Sequence, residues 1–160
     1  MFRIGHGIDV HQFAHDRALI LGGVKLSDID GLIGHSDADV LTHAIMDAIL
    51  GAVGGGDIGE HFPDTDAQYL NADSKELLRR LWERVHADGW EIVNLDCTII
   101  AQKPRIAPFK QAIKLSVAEA LLIDESVCGI KATTTEHLGF LGREEGMAAF
   151  AVVLLEKTTP

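Results

Sequence analysis

An α+β fold is predicted, a mixed β-sheet with helices packed on one face. Three observations lead there. Strand-like and helix-like patterns follow one another along the 160 residues in the order strand, helix, helix, strand, helix, strand, strand. The helical stretches are amphipathic, so each has an apolar side to lay on a sheet. Residues 146–157 are apolar at both parities, with Ala149, Ala151, Val153 and Leu155 on one side and Ala148, Phe150, Val152 and Leu154 on the other. Three helices cannot cover both faces of a sheet, so the second face is expected to pack sheet to sheet in a homo-oligomer.

Each element has its own local reason. In "FRIGHGIDVHQF", 2–13, Ile4, Ile8 and Val10 share one parity and Asp9 and His11 the other, which predicts a half-buried strand. "ALILGGVKL", 18–26, is a short apolar strand broken at Gly22-Gly23, as a hairpin or bulge would be. Residues 36–53 read as a helix whose Ser36 and Asp39 resemble a capping box, with Val40, Ala44, Met46, Ile49 and Leu50 on its apolar stripe. The glycines at 54–56 end it. Residues 73–89 are a second helix, with Leu77, Leu78, Leu81, Trp82 and Val85 inward and Gly89 as its stop. A strand at 90–102, a helix at 108–122 and strands at 129–136 and 146–157 complete the chain, the last two around a Gly-rich loop.

One domain over residues 1–160 is expected from the length. The net charge of −10 carries no basic block, which argues against nucleic acid as a partner. An acidic protein that handles phosphates should carry metal ions, because like charges close together repel. No apolar run reaches the roughly 20 residues that span a membrane, and Met1 and Phe2 lead straight into strand pattern, so no leader is expected. Cys97 and Cys128 lie far apart and read as buried reduced thiols of a cytoplasmic protein.

The stretch "GGGDIGEHFPD", 54–64, contains G-x-G-x-x-G. A dinucleotide fingerprint follows a strand and opens a helix. Here the glycines follow a helix, and "EHFPDTD" marks a loop. The dinucleotide reading fails, which leaves two: the glycines cap a helix, or they bring backbone amides close to a ligand with Asp57 and Asp64 at its rim. Asp9 and His11, two apart on a strand, point to one side. With His43 on the following helix they make an Asp/His/His set suited to a divalent metal with an open position, unless these two of eight histidines are unrelated. Asp39 and Asp47 flank His43 at i−4 and i+4, where either could hold its imidazole. The 2-His-1-carboxylate iron site is a rival, but the D-x-H order and the helical content argue against it.

Phosphate-binding features lie elsewhere. "KATTTEHLGFLGREEG", 131–146, gathers hydroxyls and loop amides that suit phosphate oxygens, with Glu136 able to hold a hard cation; the plainer reading is a β-branched strand ending in a solvated turn. Lys103 and Arg105 face anions or solvent. His35 stands beside Ser36 at a helix start, a good place for a phosphate.

The segments "GHGIDVHQF", "LIGHSDADVLTHAIMDAILGAVGGGDIGEHFPDTD", "ADSKELL", "LDCTIIAQKPRIAP" and "IKATTTEHLGFLGREEG" together resemble the 2-C-methyl-D-erythritol 2,4-cyclodiphosphate synthase family of the non-mevalonate pathway of isoprenoid (terpenoid) biosynthesis. The likeness runs from Arg3 to about Lys157. It implies a phosphorus–oxygen lyase, a homotrimer with active sites between neighbouring subunits, and 4-diphosphocytidyl-2-C-methyl-D-erythritol 2-phosphate as substrate. The 2-phosphate attacks the β-phosphate, CMP leaves and a cyclic diphosphate forms. By resemblance, Asp9, His11 and His43 hold zinc, and His35 and Thr134 support the transition state. Substrate contacts are implied for Asp9, His11, His35 and Ser36, for Asp57, Ile58 and Gly59, and for Phe62, Pro63, Asp64, Thr65 and Asp66, the latter two groups on the erythritol and phosphate part. Ala101, Gln102, Lys103, Pro104, Arg105, Ile106 and Ala107 are implied to line the cytidine and diphosphate pocket from the neighbouring subunit. Thr133, Thr134, Thr135 and Glu136 join them, Glu136 near magnesium or manganese. Phe140 and Arg143 border a central trimer channel where family members hold an isoprenoid diphosphate. The family often has glycine at the place of Ala38, which reads as an early helical position, and a small residue at the place of Glu144, which adds charge beside Arg143. Two other readings accompany this one. A metal-dependent phosphohydrolase would use the same triad to activate water, and a non-enzymatic isoprenoid diphosphate binding protein would use the channel alone.

Overall fold

In the computed structural model, which describes residues 1–63 and 65–158, strand β1 (Phe2–His15) runs nearly the length of the sheet and β7 (Gly146–Lys157) pairs antiparallel beside it, from Phe2 opposite Glu156 to Gln12 opposite Gly146. Strand β5 (Trp90–Ile100) joins β7 antiparallel, β6 (Cys128–Thr133) joins β5 parallel, and β4 (Asp30–Leu32) closes the other edge on β1. The sheet is therefore mixed, ordered β4-β1-β7-β5-β6. The predicted break at Gly22-Gly23 is a hairpin between β2 (Leu19–Leu21) and β3 (Val24–Ser27).

Helix α1 (Val40–Val53) lies on β1 and β7, α4 (Lys110–Leu121) lies on β6, and α3 (Ser74–Ala87) packs between α1 and α4. Their apolar sides meet the inner parity of β7, where Met147, Ala149, Ala151, Val153 and Leu155 are fully buried. The five apolar residues predicted for α3 are all buried, and so are the five predicted for α1.

Strand β1 is half-buried, but the buried side is not the apolar one. Ile4, Ile8 and Val10 are exposed, at 71, 48 and 46 %, while Gly5 and Gly7 face α1. The reason is proximity: a Cβ on Gly7 would fall 1.9 Å from the Ala44 carbonyl oxygen and one on Gly5 would fall 1.7 Å from that of Ala48. Helix and strand touch backbone to backbone there, which only glycine permits. The apolar side of β1 joins Phe150, Val152 and Leu154, opposite Ile8, His6 and Ile4, in a continuous outer apolar face.

Three local expectations change. Helix α1 is capped by Asp39, whose carboxylate accepts from the Thr42 N–H at 3.0 Å, and not by Ser36, which stays in the preceding loop. Ala38 is likewise outside the helix, at φ 57° in the left-handed region. Glu60 and His61, expected in a loop, are instead the second half of the single turn α2 (Ile58–His61), which Asp57 caps through the Glu60 N–H at 3.1 Å. Gly54 ends α1 as expected, in the left-handed conformation with its N–H on Gly51 and Leu50 carbonyls. After α4 and β6, the turn α5 (Gly139–Gly142) leads into β7. Among the described residues no helix is long and apolar enough to cross a membrane.

Candidate metal centre and cleft

Beyond Gly7, the inner parity of β1 carries Asp9 and His11 past the N-terminal end of α1, where His43 stands in the first turns. The three come together as predicted. His11 Nε2 lies 2.8 Å from Asp9 Oδ2, His43 Nδ1 lies 3.0 Å from the same oxygen, and the two nitrogens are 3.2 Å apart. Edges of a tetrahedral zinc site are about 3.3 Å for nitrogen and oxygen ligands, so the spacing suits a small divalent cation.

The donor set fits as well. His11 Nδ1 donates to the Ile33 carbonyl at 2.5 Å, which leaves Nε2 of the neutral ring as a bare lone pair aimed at Asp9. A carboxylate oxygen and a bare imidazole nitrogen in contact repel unless a proton or a cation lies between them. Charge at the site follows the same logic. Burial opposes ionisation of Asp9, yet hydrogen bonds from His11 and His43 outweigh it and hold its carboxyl far below the usual range. Burial opposes protonation of His11, and the Asp9 hydrogen bond overrides it and raises the imidazole.

The expected supports of His43 are replaced by others. Asp39 turns the other way, accepting from the Gly22 and Gly23 N–H groups at 2.9 and 2.8 Å and from Thr42. Its burial raises its carboxyl above the ordinary value. Asp47 accepts from the Ile58 N–H at 2.8 Å and pins α2 on α1. His43 Nε2 instead faces the hydroxyls of Ser74 and Ser36, at 3.0 and 3.1 Å. Ser74 opens α3 and is fully buried.

The triad forms one wall of a cleft of about 400 Å³. His35, Ser36, Ile58, Gly59 and Phe62 line it, all expected from the sequence; Met46, Tyr69 and Leu77 line it too and were not. The Phe62 and Tyr69 rings meet edge to face at 5.4 Å. His35 donates Nε2–H to the Asp66 carbonyl at 3.1 Å, while Asp66 caps the turn Ala67–Tyr69 through the Gln68 N–H. Pro63 accepts from the Asp66 N–H at 3.0 Å, and Thr65 stands exposed beside it. Asp64 lies outside the described residues. Arg17, also missed, donates to the Gly34 and Ser36 carbonyls at 2.9 and 2.8 Å and fixes the loop that carries His35.

Of the remaining predicted residues, 101–107 and 133–136 lie at and beyond the ends of β5 and β6. Ala101 donates its N–H to the Thr133 carbonyl at 3.0 Å, and Gln102 Oε1 accepts from the His137 N–H at 3.1 Å, so 101–107 and 133–136 lie side by side. Ile106 is buried and Arg105 exposed, while Ala107 opens the turn Ala107–Phe109 behind Pro104. Thr134 and Glu136 share a hydrogen bond at 3.4 Å, and Thr135 Oγ1 donates to the Leu138 carbonyl. Across the sheet, Asp9 is level with Ala149, Ile99 and Ala132. Three strand spacings, about 14 Å, thus separate Ala132, two residues before Thr134, from Asp9. Phe140 lies exposed beside Val10, His11 and Gln12. Arg143 pairs with Glu145 at 3.1 Å, and Glu144 pairs not with Arg143 but with Lys103, at 2.8 Å.

Residues 2–156 match the YgbB family. Among curated relatives, a 2-C-methyl-D-erythritol 2,4-cyclodiphosphate synthase of Listeria monocytogenes is 60% identical over 98% of this chain and 100% of its own. The synthase of Geobacillus thermodenitrificans is 59% identical over 99% of both chains. Two solved structures are similar. The bifunctional IspDF of Campylobacter jejuni is 47% identical with a TM-score of 0.95, over 99% of this chain but 43% of that one. The CDP complex of IspF from Plasmodium falciparum is 35% identical with a TM-score of 0.86, over 99% of this chain and 97% of that one. With its sheet order, its Asp/His/His centre and this likeness running end to end, the chain belongs to the YgbB family.

Proposed function

We propose that the chain acts as one cyclodiphosphate synthase domain over residues 1–160, converting 4-diphosphocytidyl-2-C-methyl-D-erythritol 2-phosphate to 2-C-methyl-D-erythritol 2,4-cyclodiphosphate and CMP. The observation that carries this reading is the convergence of Asp9, His11 and His43 on a cleft, in a chain aligned end to end with relatives bearing that name. An oxygen of the 2-phosphate attacks the β-phosphorus, the bond from that phosphorus to the oxygen of the α-phosphate breaks, and CMP leaves with the electron pair. The nucleophile is already ionised, so alignment and charge neutralisation do the work and a general base is not needed. Asp9, His11 and His43 would hold Zn²⁺, which supplies Lewis-acid polarisation of a phosphoryl oxygen when bound.

The residues around it orient the substrate. His35 and Ser36, fixed by Arg17 and by the Asp66 carbonyl, face the diphosphate. Asp57, Ile58 and Gly59 with Phe62–Asp66 hold the erythritol and phosphate part, and the Phe62–Tyr69 pair excludes water. Thr134, two residues past a strand position three strands from Asp9, supports the transition state of the neighbouring subunit's site. The 101–107 segment and Thr133–Glu136 there bind cytidine and diphosphate, and Glu136 takes Mg²⁺ or Mn²⁺. This division requires a homotrimer, which the exposed apolar face of Ile4, Ile8, Val10 and Val152 supports. Phe140 and Arg143 border its channel and would meet an isoprenoid diphosphate. The cytoplasm is the compartment proposed, supported by two buried free thiols.

Phosphorus NMR of the purified protein with this substrate and Mg²⁺, with and without a zinc chelator, tests the reading. CMP with a cyclic diphosphate, lost on chelation, is expected. Free phosphate in its place would mean a hydrolase, and no turnover with metals replete would overturn an enzymatic role.

A further inference from the structure

We infer that Ser74, fixed by Asp37, is a positioning residue that locks the His43 ring in the tautomer able to bind metal through Nδ1. The inference rests on the metal-site reading above and adds residues that the metal ligands alone do not name. It follows from counting donors and acceptors. The Asp37 carboxylate has no proton to give, so the Ser74 hydroxyl, 2.5 Å from its Oδ1, must donate to it. The same carboxylate accepts from the Ser74 backbone N–H at 3.0 Å and the Asp39 N–H at 3.2 Å, so it is held on both sides. A hydroxyl has a single proton. Having given it to Asp37, Ser74 Oγ can only accept from His43 Nε2, 3.0 Å away.

Nε2 therefore carries the hydrogen, and Nδ1 presents its lone pair 3.0 Å from Asp9 and 3.2 Å from His11. Ser36 Oγ, 3.1 Å from Nε2, accepts from the Ala38 N–H at 3.3 Å and can give its own proton to Ser74 Oγ at 3.4 Å, so it serves as a weaker second acceptor. His11 reaches the same state by a different route, through the Ile33 carbonyl. The two imidazoles are thus prepared independently, one by backbone and one by a buried serine. Ser74 and Asp37 sit 37 residues apart in sequence, so the device exists only once α3 has docked against the loop before α1. Folding and metal binding are coupled at this contact.

The test uses the full chain and zinc alone, without substrate, so its outcome is separate from that of the synthase assay. Nitrogen NMR of the histidine rings in the zinc-loaded protein should show His43 bound through Nδ1, with the hydrogen on Nε2. Ser74→Ala should bind zinc at least about tenfold more weakly in competition with a chromophoric chelator, while Ser74→Thr, which keeps the hydroxyl, stays within about threefold of the unaltered protein. Zinc affinity of a folded Ser74→Ala protein within about twofold of the original would overturn the inference. Coordination of zinc by His43 through Nε2 in the unaltered protein would overturn it too, and that measurement stands even where the variant fails to fold.

Discussion

Ala38 carries a buried methyl at φ 57°, and its energetics decide what this position tolerates. The left-handed conformation costs an L-residue about 1–2 kcal/mol. Glycine would remove that cost, but it loses about 0.5–1 kcal/mol in the unfolded chain and about 0.8 kcal/mol of methyl burial. The terms nearly cancel, so Ala38→Gly should change the urea unfolding free energy by less than about 0.5 kcal/mol. A β-branched side chain has no such balance, and Ala38→Val should lose about 2 kcal/mol or more in the same measurement. The chemistry-bearing residues were readable at this scale because their spacing is local. Asp9 and His11 share a strand face by parity, and His43 lies one helix later. Ser74 was not readable, because a serine just inside a helix looks like part of a cap until the chain brings it to His43.

Helix α3 stands on its own surface chemistry as well as on its buried stripe. Glu76 accepts from Arg79 and from Arg80, at 2.8 and 2.9 Å. Those hydrogen bonds, that of Arg79 first, hold its carboxyl down to about 2 from an ordinary 4.5. A depressed acid stabilises the fold above its unfolded value and loses that contribution as pH falls through the folded one. Relative to Glu76→Gln, the unaltered protein should therefore be more stable at pH 7, with the gap closing between pH 4.5 and 2; urea midpoints of both proteins across that range measure it. Most element positions were legible from period and caps, since α3 and α1 bury the stripes their sequences show. The sidedness of β1 was not. Its apolar residues mark a face turned away from the helices, and the face that meets α1 is written in glycines, which carry no hydrophobic signal.

For the whole molecule, the outer face of the sheet and the separation of Ala132 from Asp9 across it belong together. An apolar surface built from Phe2, Ile4, Ile8 and Val152, each at least 40 % exposed, is unusual for a chain that stays alone. Placing charges there should dissociate the assembly. If the proposed trimer forms through this face, Ile8→Glu with Val152→Lys should shift the mass in solution from trimer to monomer, read by light scattering. Turnover should fall at least about a hundredfold, because half of each site would be missing. Zinc binding by the separated chains should persist, since all three ligands lie within one chain. The α+β class was legible from element order, and the outer apolar face from the two-sided apolar pattern of β7. The distance across the sheet from Asp9 to Ala132 was not legible from motif spacing, because it depends on strand order, and β1 meets β6 only through β7 and β5.

The glycine contacts under α1 have one more consequence, and it concerns selectivity. Gly7 stands two residues before Asp9, and the Ala44 carbonyl it touches belongs to the residue after His43. Sheet and helix are already at closest approach there, with no side chain between them to compress or rotate. The aperture between the strand ligands and the helix ligand is thus a property of the main chain, gauged by two backbones in hard contact. A cage made by flexible loops stretches to admit a larger ion; this one can only be forced open by parting a helix from its sheet. A metal held by Asp9, His11 and His43 would be selected by ionic radius through the stiffness of the fold beneath them as well as through the three side chains.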